Sequence, residues 1–193
     1  MNNNQETIFI DTSIFVEQNF LFGHRIKTIF EQAEKEIIKV VLPKLTYDEI
    51  LNRISVKIEE EVKTAQKLVL LKNIYQNKIK VAGSVIEEFK SDFIGIVKKT
   101  KIEIIEYPQN GTIIEEIFTN YFQVRPPFGT KNKKCEFPDA FTLKILENWA
   151  KEKGKTISIF SNDNDIKSIK SKHLKVDDFG SFVDKLNQNK QIW

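Results

Sequence analysis

The sequence predicts an α/β fold of three layers, α/β/α, with a central, mainly parallel sheet. Three observations predict it. Short, apolar, β-prone runs recur at residues 7–10, 39–42, 102–105, 156–160 and 174–176. Longer stretches with apolar residues at three- and four-residue steps lie between them, and strands alternating with helices make parallel sheets covered on both faces. Fifteen Phe against seven Gly and five Pro, with 40% hydrophobic residues, supply core rather than disorder. At 193 residues the chain is expected to form one domain, 1–193.

The first run ends at Asp11, and Thr12 or Ser13 is placed to cap the helix that follows. Ile26, Ile29, Phe30 and Ala33 carry helical spacing through the next segment. The second run is closed by Pro43, after which Thr46-Tyr47-Asp48-Glu49 opens a long helix. Its apolar positions are Ile50, Ile54, Ile58, Val62 and Ala65, and the period continues to about Tyr75. A helix is expected over 84–98 and another over 111–122, with Ile113, Ile114, Ile117 and Phe118 on one side. Residues 125–136 read as a loop. Pro138 suits a first helical turn, where its missing N–H costs nothing. Ala140, Leu143, Leu146 and Ala150 then carry a helix to Gly154. A short helix follows residues 161–165, and 178–186 form the last helix.

Several classes are excluded or disfavoured. Residues 1–6 are polar and lack the basic-then-apolar run of a signal peptide. No apolar stretch reaches the roughly 20 residues a membrane helix needs. A single cysteine, Cys135, cannot form an internal disulfide, so a reducing cytoplasm is the expected location. The net charge of +3 decides nothing about partners. The clusters Lys98/Lys99/Lys101, Lys131/Lys133/Lys134 and Lys167/Lys170/Lys172/Lys175 read either as solvated faces or as surfaces for a phosphate backbone.

The chemistry lies in the acids. Ligands of open α/β sheets collect beyond the carboxyl ends of the strands. Asp11 and Asp163 follow strands, while Glu49 and Asp139 open helices, so all four are expected to face one crevice. Each also has a plain structural reading. Glu49 completes a capping box with Thr46, Asp139 suits a helix dipole, and Asp163 and Asp165 are turn residues. Asp11 is harder to dismiss, because an acid closing a buried strand is costly without a partner. Carboxylates gathered together resist joint ionisation. A divalent cation resolves that conflict, and oxygen-only ligands suit Mg²⁺ or Mn²⁺ rather than zinc. Such an ion can activate water and polarise a phosphoryl oxygen.

These segments resemble the PIN-domain nuclease family. Ile8-Phe9-Ile10-Asp11-Thr12-Ser13 is similar to its opening strand and first aspartate, with Ser13 at the small polar position. Leu42-Pro43-Lys44-Leu45-Thr46-Tyr47-Asp48-Glu49-Ile50 resembles the second motif, Phe137-Pro138-Asp139-Ala140 the third, and Ser161-Asn162-Asp163-Asn164-Asp165-Ile166 the fourth. The resemblance implies a Mg²⁺- or Mn²⁺-dependent nuclease, usually of RNA, with single-stranded DNA as the other substrate. Asp11, Glu49 and Asp139 would be catalytic ligands; Asp163 and Asp165 compete for the fourth position, Asp163 being favoured and Asp165 kept as a second-metal ligand or a group behind it; and Ser13 would support them. In bacterial members it also implies toxin–antitoxin pairing, and a homodimer. The longer stretch between Glu49 and Asp139, filled with extra helix, resembles a larger bacterial subgroup more than the minimal toxins.

Arg125, Lys133 and Lys134 are candidates for holding a nucleic-acid backbone. Phe128 is either a base-stacking residue or a loop anchor, Trp149 is packing, and His24 and His173 face solvent. Two other classes compete. A haloacid-dehalogenase-type phosphatase wants a second acid two residues after the first, where this chain has Ser13. A PIN-like module that binds RNA or protein without cutting is the other. No G-x-G-x-x-G follows the first strand to support a dinucleotide site.

Overall fold

The computed structural model describes residues 5–67, 82–109, 111–125, 127–128 and 136–190. The elements run β1 (Glu6–Ile10), α1 (Thr12–Glu17), α2 (His24–Glu34), β2 (Ile38–Pro43), α3 (Lys44–Lys67), α4 (Ala82–Lys99), β3 (Glu103–Ile105), α5 (Thr112–Gln123), α6 (Phe137–Lys153), β4 (Ile157–Phe160), α7 (Asn164–Lys167), β5 (Leu174–Val176) and α8 (Phe179–Lys190). The expected helical insertion between Glu49 and Asp139 is the length of α3 together with α4 and α5.

Five strands form one sheet in the order β3-β2-β1-β4-β5, with every pairing parallel. Helices flank it, with α2 packing on α8, α3 on α4, and α5 on α6. This is the three-layer α/β/α architecture expected. β1 is central and, apart from Glu6, buried throughout, as is β4, which suits apolar runs covered on both faces. The core is dominated by β-branched and aromatic side chains. Phe15 meets Phe93 edge-on at 5.9 Å, which ties α1 to α4, and Phe160 packs on Phe182 of α8 at 4.8 Å.

The strand order fixes where a site can form. The chain moves outward from β1 through β2 to β3, then returns to β4 on the other side of β1. The crevice of an open parallel sheet lies at such a reversal, outside the carboxyl ends of the two strands. Here those strands are β1 and β4, in the register Ile10↔Phe160.

Three local expectations are corrected. Helix α1 is capped by Asp11, not by Thr12 or Ser13. Asp11 stays extended (φ −71°, ψ 156°) because its N–H still bonds Phe160 O at 2.9 Å, so Thr12 is already helical. Helix α3 begins at Lys44, which puts Thr46 inside it and dissolves the capping box. His173 is half-buried rather than facing solvent. Expectations for residues 68–75 and for Cys135 lie outside the described residues. Phe128 is an anchor, buried with Ile113, Ile117 and Ala140. Trp149 packs as expected and donates from Nε1 to Glu103 at 2.8 Å.

Candidate active site

The first acid sits where the ladder ends. Asp11 is the residue after β1, and Ser161 is the residue after β4, so the two emerge side by side at the crossover. The Asp11 carboxylate is held through one oxygen. Its Oδ2 accepts from the Ser13 amide at 3.1 Å, from the Ser13 hydroxyl, and from the Ser161 hydroxyl at 2.9 Å. No lysine or arginine pairs with Asp11 among the described residues.

The two serines do more than donate. Ser13 Oγ accepts from the Asn162 amide at 3.0 Å, and Ser161 Oγ accepts from the Asp163 amide at 3.0 Å. Each hydroxyl therefore bridges Asp11 and the loop that carries Asp163. Asn162 adds a bond from Nδ2 to Glu17 Oε2 at 2.6 Å, which ties the loop to α1. The Asp163 side chain lies at the exposed outer side of this clasp.

Glu49 reaches the same edge from the other neighbour of β1. It lies in the second turn of α3, the helix that leaves β2, and its Oε2 accepts from Thr12 Oγ1 at 3.2 Å. Its other oxygen stands 3.5 Å from Arg53, a long, exposed contact of small energetic weight. Asp48, its neighbour in sequence, is differently placed. Lys44 pairs with it and Tyr107 Oη donates to it at 3.0 Å. The hydrogen bond to Asp48 pushes the Lys44 ammonium above its ordinary range. The Tyr47-Asp48-Glu49 run thus splits into one acid with a lysine partner and one aimed at Thr12.

Asp139 occupies the first turn of α6, behind Pro138. Because α6 leads into the parallel strand β4, it runs against the strands, and its first turn lies at their carboxyl edge. A buried contact fixes it there. Thr46 Oγ1 and Thr142 Oγ1 meet at 3.3 Å, joining α3 to α6 with both hydroxyls shut from solvent. Thr46 precedes Glu49 by three residues and Thr142 follows Asp139 by three, so each acid shares a helix face with its threonine.

The oxygen-rich chemistry of this edge fits a hard divalent cation. Nevertheless, among the described residues no three acidic, histidine or cysteine side chains stand grouped around one point. Asp11, Glu49 and the Asp163 loop are linked by hydrogen bonds, whereas Asp139 is positioned through Thr142 and Thr46. Lys133, Lys134 and the side chain of Asp165 lie outside the described residues. Arg125 is exposed and lines a separate cleft along α6.

Ser161 and Thr12 were missing from the sequence-based set. Ser161 carried a signal: a small polar residue directly after a buried strand whose neighbour ends in an acid. Where a phosphatase would carry a second acid stands Ser13, donating to Asp11.

A family model described as PIN domain matches residues 8–166, a span holding all five acids. The chain belongs to the PIN-domain family, whose fold is of the nuclease type and whose members as a class depend on divalent metal. No curated protein and no solved structure matches it. Among the described residues no helix is long and apolar enough to cross a membrane.

Proposed function

We propose that this chain is a divalent-metal-dependent nuclease that hydrolyses phosphodiester bonds, with RNA as substrate in preference to single-stranded DNA. One observation carries the reading. The acid at the β1–β4 crossover is oriented by three donors on one oxygen and has no lysine or arginine partner among the described residues. A carboxylate so held, next to Glu49 and the Asp163 loop, is prepared for a cation that no described side chain provides.

Asp11, Glu49, Asp139 and Asp163 would hold the ion, with Asp165 as a further ligand. Bound Mg²⁺ or Mn²⁺ supplies Lewis acidity toward a phosphoryl oxygen and makes water a nucleophile near neutral pH. The rest is the chain's own work. Ser13 and Ser161 hold Asp11 in one rotamer and bring the Asp163 amide to the same clasp. Thr12 orients Glu49, and the Thr46–Thr142 contact sets α6, hence Asp139, against α3.

Cleavage of mixed RNA and single-stranded DNA with Mn²⁺, by the native chain and by Asp11→Asn, tests the proposal. Asn also caps helices well, so the fold should survive the change. Cutting should be lost in the variant; equal cutting by both would refute the site. The second reading, a module that binds without cutting, is favoured by the lack of a three-member acidic group among the described residues. It predicts no cleavage by either protein. A homodimer or an antitoxin partner would be compatible with either reading.

A further inference from the structure

Away from the acidic edge, α6 forms the floor of a long groove. Ala140, Leu143, Lys144 and Glu147 line one part of it, a cleft of about 480 Å³ between the end of α5 and residues 168–174. Two neighbouring clefts share Lys144 with it and extend it toward Glu115 on one side and toward Lys151, Lys172 and His173 on the other. From Ala140 to Lys151 the floor is twelve residues of helix, eleven steps or roughly 16 Å at about 1.5 Å per step.

Five cationic side chains line the groove, Arg125, Lys144, Lys151, Lys170 and Lys172, against the acids Glu115, Glu116 and Glu147. Lys144 is absorbed by the architecture, pairing with Glu116 of α5 and with Glu147. The other Glu147 oxygen accepts from Ser171 at 2.7 Å. This network builds the walls and sets the single charge of Lys144 against two of the three acids. The other four cations are exposed and make no ion pair among the described residues. Ala140, the buried floor residue nearest the start of α6, follows Asp139 in sequence.

We propose that this groove is the path of a single-stranded nucleic acid, held by its phosphates on Arg125, Lys151, Lys170 and Lys172. The proposal rests on the nuclease reading for its choice of ligand. Its own ground is four exposed cations, without ion pairs among the described residues, lining clefts that meet at Lys144 on α6, the helix whose first turn carries Asp139. No Phe, Tyr or Trp lines the groove among the described residues, so stacking contributes little and binding is independent of base sequence.

The test uses labelled, unstructured single-stranded RNA and fluorescence anisotropy, in an Asp11→Asn background so that the probe stays intact. Lys170→Glu/Lys172→Glu should weaken binding at least tenfold. It should also flatten the slope of log affinity against log salt by about 1.4, two phosphate contacts at about 0.7 each. Lys170→Arg/Lys172→Arg should bind as the parent does. Lys98→Glu/Lys99→Glu, the same charge change on α4, should have little effect. Unchanged affinity and slope in the Glu variant, or equal loss in the α4 control, would overturn the proposal. So would equally effective competition by polyglutamate, which would mark an acidic protein as the occupant. Groove-dependent binding without cleavage by the native chain would sink the nuclease reading and leave the groove standing; cleavage without groove-dependent binding would do the reverse.

Discussion

Ser161→Ala removes one oxygen from the centre of the clasp, and its cost can be worked from two bonds. Ser161 is 6% exposed, so water cannot easily replace what is lost. The bond to Asp11 Oδ2, at 2.9 Å, involves a carboxylate, and such bonds are worth about 1.5–3 kcal/mol. The bond from the Asp163 amide, at 3.0 Å, sits nearer solvent and adds at most about 1 kcal/mol. Ser and Ala differ by little volume, so the cavity contribution is small. The expected loss is about 2–3 kcal/mol, which for a chain of this size lowers Tm by about 4–12 °C. Thermal unfolding by circular dichroism, without added metal, measures it. Ser13→Ala should cost a similar amount. The double variant should fall short of the sum, since both hydroxyls serve the same carboxylate oxygen. A Tm for Ser161→Ala within about 1 °C of native, or strict additivity, would refute the clasp.

Three further outcomes follow from contacts elsewhere in the fold. Thr46→Val should cost about 1–2 kcal/mol by leaving Thr142 with an unsatisfied buried hydroxyl, while Thr46→Val/Thr142→Val should be nearly neutral, as read by urea denaturation. Burial alone would raise the Glu147 carboxyl, but Ser171 and Lys144 outweigh it and hold the group below its ordinary value. Its folded pKa is therefore lower than its unfolded one, so its stabilisation is present above the unfolded value and fades as pH falls through the folded value. Glu147→Gln should accordingly be less stable than native at pH 7, with the gap closing below about pH 4. Gly154 ends α6 at φ +62°, so Gly154→Ala should lose about 1 kcal/mol in the same denaturation assay.

Much of the architecture was legible in the residues. The runs at β1, β2 and β4 are apolar because both faces of those strands are covered, and that pattern needs no tertiary knowledge. Pro138 and Gly154 bracket α6 by local backbone chemistry alone. Local chemistry misled at the other helix starts. Thr46 and Glu49 have capping-box spacing, yet Thr46 bonds Thr142 and Glu49 bonds Thr12, both distant in sequence. A pattern that fits a local motif equally well fits a helix that began one turn earlier. The α1 cap falls one or two residues before the expected Thr12 or Ser13 because Asp11 is held extended by Phe160 O, a contact no neighbouring residue announces. The residues around Ser161 give its hydroxyl no role of its own. Only the adjacency of β1 and β4 puts its hydroxyl on Asp11, 150 residues away in sequence.

Uptake of Mn²⁺ is the most direct test, because the whole account requires these carboxylates to share a cation. Titration calorimetry of the native chain should show saturable binding. Asp11→Asn, its fold checked by circular dichroism in chelator, should show binding weakened at least tenfold. Equal Mn²⁺ affinity in both proteins, or none in the native chain, would contradict the account whatever the family resemblance.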